Sequence, residues 1–423
     1  MFQFIIFDSV MKTRDRFKNK ASSKSHIVDL CASAWYLSII AVCMILFGCT
    51  NPNQRKILSG QDIPVIDLSK NYPEKEFVAD ETDREYVPLE TTDDVLADRD
   101  FKIEYLSDQR IVGTNRNKGD IFIFNRDGKI VSFFNHKGAG PNEYINLSLL
   151  IFDEKAKEIF VDIVSQNKCL VFSSDGLFLR QINYPDSSRI GNLYDFDEQT
   201  LLAYNRLSPV NNNLREIDQI MPYVFLSKKD GSLVSRLDLS FPDRLPDSYM
   251  LQAGEAMYGL GIQFGGNLKY GNDFLIVNRS VDTVFLLTQD KKTTPLFVRT
   301  PSVHSENQLL SMIISFRTDT YLFFESITYN WSEISQRMLS GQRPNLPPAR
   351  KFAYNTKTGQ LFSVSKGPIA HAVDKLGERE VNLLSADQLN ERLKNGELDG
   401  KLKQVAQKID PEDNPVIEII KYK

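Results

Sequence analysis

Histidine, cysteine and tryptophan are scarce in this chain: 423 residues hold four His, four Cys and two Trp. The histidines, His26, His136, His304 and His371, are scattered. Without an H-x-x-x-H or H-E-x-x-H pairing they offer no zinc signature. No G-x-S-x-G elbow and no protein-kinase set appears, so two common nucleophile and phosphoryl-transfer frameworks are absent. An excess of basic charge is also missing. Lys and Arg number 51 against 55 Asp and Glu, a net charge of −4, which gives no general affinity for nucleic acid. No helical 3.6-residue pattern of useful length runs between residues 60 and 370, which argues against a βαβ sheet. Only one long apolar run exists, which excludes a polytopic membrane protein. The remaining composition, 42% hydrophobic and 25% charged, is that of a folded globular chain.

That one run lies at residues 30–48, without a charge, behind a basic cluster of Lys12, Arg14, Arg16, Lys18, Lys20 and Lys24. It ends Leu46-Phe47-Gly48-Cys49. A basic region, an apolar region and a small residue before the cut make a secretory signal. Met11, just ahead of the basic cluster, is an alternative start. The run is also about long enough to span a bilayer, so a single transmembrane anchor is the rival reading. Its abrupt end at Gly-Cys resembles the lipobox of bacterial lipoproteins, although Phe47 stands where that family usually has a small residue. The resemblance implies a lipid on Cys49 and residues 1–48 as signal peptide. Residues 49–60 then read as a polar tether. Removing 1–48 also removes Cys31 and Cys43 and shifts the net charge to −7. Only Cys169 is left as a thiol, so no intramolecular disulfide can form. It sits in an alternating strand pattern and reads as a buried structural residue.

From residue 61 onward a unit recurs: a short apolar strand, a polar turn ending in Gly, and a second strand. Asp120 to Gly128 leads into Lys129 to Phe134. Corresponding turns end at Gly176, Gly231 and Gly359, and a degenerate copy at Asp282 to Asp290 lacks the Gly. The turn glycines are 48, 55 and then 128 residues apart, the last being two periods. Asp-Gly supplies the positive φ that tight hairpins need. Each period also holds two earlier strands, and four strands per roughly 50 residues is a propeller blade. Five copies span about residues 101–365. The expected fold is all-β, a six-bladed β-propeller over residues 61–423. Strands from both ends close it: Ile63 to Leu68 and Tyr86 to Glu90 from one end, Asn414 to Tyr422 from the other. Short helices are expected from Ser385 to Lys394, with Ser385 as N-cap and Gly396 as stop, and from Lys401 to Lys408.

Four features carry a family resemblance: Tyr86-Val-Pro-Leu-Glu-Thr-Thr92, Gly138-Ala-Gly-Pro-Asn-Glu-Tyr144, the Asp-Gly hairpins, and Asp413-Asn-Pro-Val-Ile417. Together they resemble the six-bladed β-propeller lipoproteins of Bacteroides-type bacteria, related to NHL-repeat propellers. The resemblance implies the fold and an envelope location; it implies no reaction.

Gly138, Gly140, Pro141, Glu143 and Tyr144 read as a structural link between blades, with Glu143 bonded to backbone donors. Candidate binding residues are Tyr249 and Tyr258 in the long segment 242–266, and Trp331, Arg337 and Arg343 in the segment 330–348. Both segments exceed what hairpins require, and aromatic and Arg side chains anchor sugars and proteins well. His136 and His371 fall near blade ends and could reach one rim. Residues 205–214 form a polar loop of the same kind. No cofactor is expected. Calcium in the channel is the one exception to consider, yet Asp195-Phe-Asp-Glu198 reads as a solvated turn and matches no EF-hand loop. The expected function is a lipid-anchored envelope module that binds or scaffolds a protein, peptide or glycan, without nucleic acid and attached to the outer membrane through Cys49. The alternative is an envelope hydrolase or lyase with its site in the propeller channel, which scattered residues can assemble without a motif. A third reading is a structural partner in a larger outer-membrane complex, visible as a flat apolar patch on one rim.

Overall fold

The computed structural model describes residues 63–422 apart from 187, 208–213, 248, 254–255, 261–267, 306–307, 341, 343–346 and 369–376. Cys49, Arg343 and His371 lie outside the described residues, as do the signal and tether segments.

The chain folds as a six-bladed β-propeller. Blade one is the meander Phe101–Leu106, Arg110–Asn115, Asp120–Asn125 and Ile130–Asn135. Blade two runs from Leu149–Asp153 to Phe178–Asn183, and blade three from Ile190–Asp195 to Leu233–Arg236. Blade four runs from Leu268–Tyr270 to Thr293–Thr300, and blade five from Gln308–Arg317 to Leu361–Lys366. The sixth blade pairs Arg379–Leu384 with Val416–Lys421, and Val416–Lys421 with Arg84–Pro88. Strands from the two ends of the chain therefore share one sheet, as the sequence led us to expect.

Burial explains why the strands read as they do. In blade one the third strand is apolar without a break, and Ile121, Phe122, Ile123 and Phe124 are all buried. Such a strand is covered on both faces by neighbouring blades. The outer strand Ile130–Asn135 instead alternates between exposed and less exposed positions, because one face meets water. The core is correspondingly divided into clusters between adjacent blades. Val112, Ile121 and Ile123 of blade one pack with Phe152, Val161 and Leu170 of blade two.

Three N-terminal strands follow one another around the perimeter: β1 (Val65–Asp67), β2 (Glu74–Glu76) and β3 (Arg84–Pro88). This corrects one expectation. Ile63 to Leu68 does form a strand, but β1 adds in parallel to the outer strand of blade four, not to the closing blade. β2 adds in parallel to the outer strand of blade five, and only β3 joins blade six. Six residues, 68–73, then carry the chain from β1 to β2 and seven, 77–83, from β2 to β3, so the segment advances one blade at a time. Ile66, Leu68 and Phe77 are buried and fix the segment to the disc.

The hairpin glycines adopt positive φ: Gly128 +82°, Gly176 +84°, Gly231 +79° and Gly359 +73°. In the degenerate copy of blade four, Lys291 takes that conformation at φ 64°. Helices occupy Ala386–Lys394 and Gly400–Ala406, with Ser385 at the N-cap position and Gly396 at φ +72°. Two further helices, Glu216–Ile220 and Trp331–Leu339, interrupt the region in which no helix was expected. Both are short insertions between strands, so their periodicity is confined to a few residues.

Candidate functional site

In an antiparallel meander, successive connections alternate between the two ends of the strands. First-to-second turns and the glycine hairpins therefore share one face of the disc, here the hairpin face. Second-to-third connections and blade-to-blade links share the other, the link face.

On the hairpin face the first strand of each blade ends beside its neighbours. Tyr105 Oη and Ser107 Oγ of blade one donate to Glu154 of blade two, at 2.9 and 2.7 Å. Lys228 Nζ of blade three reaches Asp153 of blade two at 2.5 Å and Asp195 of its own blade at 2.6 Å. Lys269 Nζ of blade four donates to the Asp195 carbonyl at 3.4 Å. The Arg317 guanidinium of blade five lies 4.4 Å from the Tyr270 ring centre of blade four and pairs with Glu378 of blade six. Arg379 of blade six pairs with Asp108 of blade one at 2.9 Å. A polar contact thus crosses each of the six blade junctions.

Lys228 and Asp153 are almost fully buried. Burial works against charge on both. The Ala156 N–H and Lys228 nevertheless hold the Asp153 carboxyl below the ordinary carboxylate range. Asp195 and Asp153 likewise hold Lys228 above the ordinary lysine value. Burial and the Glu154 carboxylate push the Tyr105 phenol up. These groups were not picked out from the sequence, where Asp195 to Glu198 read as a solvated turn. In the structure Asp195 meets Lys228, Phe196 is buried, and Asp197 accepts from the Gln199 and Thr200 N–H groups. The available signal is slight: Asp153, Asp195 and Arg317 each close the first strand of a blade. Among the described residues, no group of three or more His, Cys, Asp or Glu is placed to hold a metal ion.

The long insertions all lie on the link face. Segment 242–266 carries the hairpin Tyr249–Ala253 and Ala256–Leu260 between blades three and four. The second-to-third connection of blade five carries the helix Trp331–Leu339, and that of blade six carries the two C-terminal helices. Residues 205–214, most of them outside the described residues, enter the equivalent connection of blade three. Asn330 caps Trp331–Leu339, its Oδ1 accepting from the Glu333 N–H at 3.2 Å. Ile334 is buried against Ile327 and Tyr329, with Trp331 and Met338 packed around them. The helix also packs against the strand Tyr249–Ala253. The structure therefore brings the segments of Tyr249, Tyr258, Trp331 and Arg337 to one face. Trp331 and Arg337 are half-buried, so Trp331 covers the blade beneath it as well as bordering the surface.

The remaining sequence candidates are structural. Tyr144 is fully buried. Its hydroxyl donates to the Gly119 carbonyl at 2.7 Å and accepts from the His136 N–H at 2.9 Å. Burial pushes its phenol up to about 12. Glu143 accepts from the Gly140 N–H at 2.7 Å, and a Cβ on Gly138 would stand 2.0 Å from the Glu143 Oε2. Pro141 lies in the turn between them. The half-buried His136, just past the outer strand of blade one, packs on blade two. Its Nε2 bonds the Gly176 carbonyl at 2.7 Å and its ring stacks on Phe172. Cys169 is fully buried, and burial raises its thiol well above the ordinary value.

Six antiparallel blades joined through strands from both ends define a closed propeller. Within that class the chain belongs to the DUF4934 family, a domain of unknown function, which matches residues 63–421. Among solved structures it is similar to a candidate exported protein from Bacteroides fragilis, at 16% identity and a TM-score of 0.55, covering 85% of this chain and 99% of that one. It is also similar to a member of the DUF4221 family from Bacteroides vulgatus, at 12% identity and a TM-score of 0.43, covering 68% and 85%. A virginiamycin B lyase from Staphylococcus aureus matches at 10% identity and a TM-score of 0.32, covering 66% and 87%. At such identities the likeness is one of fold alone. No curated protein matches the chain.

Proposed function

We propose that this chain is a binding module of the bacterial envelope, held to the membrane by lipid on Cys49, that presents its link face to a protein, peptide or glycan. One observation carries the reading: every long insertion rises from that face, and two of them, the Trp331–Leu339 helix and the Tyr249–Ala253 strand, pack on each other. Raised, mutually supported insertions on a rigid scaffold are where binding surfaces are commonly built. The hairpin face supports the rival enzyme reading less well. Its carboxylates at Asp153, Glu154, Asp195 and Glu378 are each engaged by a cation or a hydroxyl.

Two experiments test the proposal in the native host. Cys49→Ser should move the protein from the membrane fraction to the soluble fraction; retention in the membrane would refute lipid anchoring. A photo-crosslinking amino acid placed at Arg337 should give a discrete adduct, and one placed at Lys357 on the hairpin face should give none. Adducts from the hairpin face alone would refute the assignment of the link face.

A further inference from the structure

β1 and β2 dock on their blades by the same rule. Each follows a proline, and the two segments read Pro64-Val65-Ile66-Asp67-Leu68 and Pro73-Glu74-Lys75-Glu76-Phe77. The Pro64 carbonyl accepts from the Val298 N–H at 2.8 Å, and the Pro73 carbonyl from the Ser363 N–H at 3.0 Å. The fifth residue of each then donates back. Leu68 N–H reaches the Thr300 carbonyl and Phe77 N–H the Lys366 carbonyl, both at 2.7 Å. Ile66, Leu68 and Phe77 turn into the protein and are buried, and Lys75 is half-buried. The pattern is Pro-x-Φ-x-Φ, where Φ is apolar or, at Lys75, a long aliphatic stem.

Blade one has the same kind of edge, and among the described residues it is unpaired. In strand register Phe133 of blade one takes the place of Ser363 of blade five. Each lies one residue beyond the partner of Ile123 or Ala353, which face the matching second-strand residues Val112 and Phe323. In blade four β1 starts two positions farther along its edge, at Val298 opposite Thr283. A bulge precedes this position in blade one at Val131 and in blade four at Leu296. The bulge of blade four does not prevent β1 from adding beyond it. Yet Ile130–Asn135 ends its sheet, Val131 is 49% exposed and Phe133 is 37% exposed. An outer strand with apolar side chains and open backbone groups is a template for a further strand.

We infer that the outer edge of blade one, at Phe133 to Asn135, receives an extended segment of another polypeptide with the pattern Pro-x-Φ-x-Φ, added in parallel as a fifth strand. Its proline carbonyl accepts from the Phe133 N–H, and its fifth residue donates to the Asn135 carbonyl. This surface is separate from the link face and does not rest on the function proposed above.

The test uses the full chain and a synthetic peptide of residues 63–70 as probe, read by hydrogen exchange. At millimolar peptide, exchange at the amides of residues 130–136 should slow at least tenfold, and a scrambled peptide should have no effect. Phe133→Pro, which removes the donor, should abolish the slowing. Phe133→Glu keeps the donor but removes the apolar face, and should weaken binding at least tenfold even if the proline variant fails to fold. Unchanged exchange at residues 130–136 would overturn the inference. So would slowing confined to residues 298–300 and 363–366, which would mean that the peptide only replaces the chain's own strands. Slowing that grows with protein concentration in the absence of peptide would assign the edge to a second copy, and would also overturn it.

Discussion

The backbone of Gly128 runs against the carbonyl of Pro88, so that a Cβ built on the glycine would stand 2.1 Å from the Pro88 oxygen. The same relation recurs around the disc. Gly176 abuts Phe134, and Gly231 abuts Ile182 and the Asn183 carbonyl. Each of these three hairpin glycines thus serves its own turn and also the fit against the end of the preceding blade's outer strand. Gly359 has the left-handed φ without the close neighbour, its nearest atom being the Tyr354 hydroxyl at 3.9 Å. Gly359→Ala should therefore cost only the conformational term, roughly 1–2 kcal/mol. Gly128→Ala should cost clearly more, because a backbone oxygen cannot move aside as a side chain can. Denaturant unfolding of the two variants checks the order, and equal losses would contradict the packing role.

The Lys228 ion pairs predict a strongly context-dependent variant. Lys228→Met leaves Asp153 buried without its cation. Breaking a buried pair from one side should cost about 3–5 kcal/mol at neutral pH. Asp153 has its carboxyl held below the ordinary value, so its contribution is present above the unfolded pKa and disappears as pH falls through the folded one. The gap between native protein and variant should therefore narrow below about pH 4. Thermal unfolding at pH 7 and at about pH 2 measures it.

Asp162 behaves in the opposite sense. It is buried, one oxygen accepts from the Tyr184 hydroxyl at 2.9 Å, and the other has no hydrogen-bond partner. Burial pushes its carboxyl up to about 6. A raised acid favours folding when protonated. Its benefit is complete below the unfolded value and is lost as pH rises through the folded one. Asp162→Asn should consequently gain on the native protein between pH 4 and pH 7, by about 3 kcal/mol at the upper end. Stability curves that stay parallel across that range would contradict the assignment.

Tyr144→Phe removes a hydroxyl that serves two backbone groups at once, the Gly119 carbonyl and the His136 N–H. Leaving those groups unsatisfied in the interior should cost about 1–3 kcal/mol. Hydrogen exchange at the amide of His136 should accelerate together with the loss measured in denaturant.

The sequence carried the fold well because a propeller repeats its local chemistry. An apolar third strand, a turn glycine and an alternating outer strand appear in most blades, so one blade's pattern validates the next. It carried the edges poorly. Nothing in Pro64 to Leu68 names blade four as its partner, since three residues of extended chain can add to any open edge. The charged ring was less legible still. Tyr105, Asp153, Asp195, Lys269 and Arg317 are separated by whole blades and meet only when the disc closes. The 138–144 segment was readable because its partners are local: Gly140 and Glu143 bond within one turn. Arg337 and Trp331 were noticed through the unneeded length of their segment, but the helix that holds them is too short to announce itself.

The sixth blade also sets an order of events in time. Its sheet joins Arg84 to Glu418 by an ion pair spanning 334 residues of sequence, and Val87 pairs with Ile417 across almost the same interval. During synthesis, residues 84–88 therefore emerge early and wait for their sheet partner until the last strand follows them. Blades one to three have all their strands close in sequence and can form in the meantime, whereas closure belongs to the slow, high-contact-order end of folding. A chain that stalls before residue 416 is an open arc with two raw edges, and such an intermediate invites chaperones and proteases.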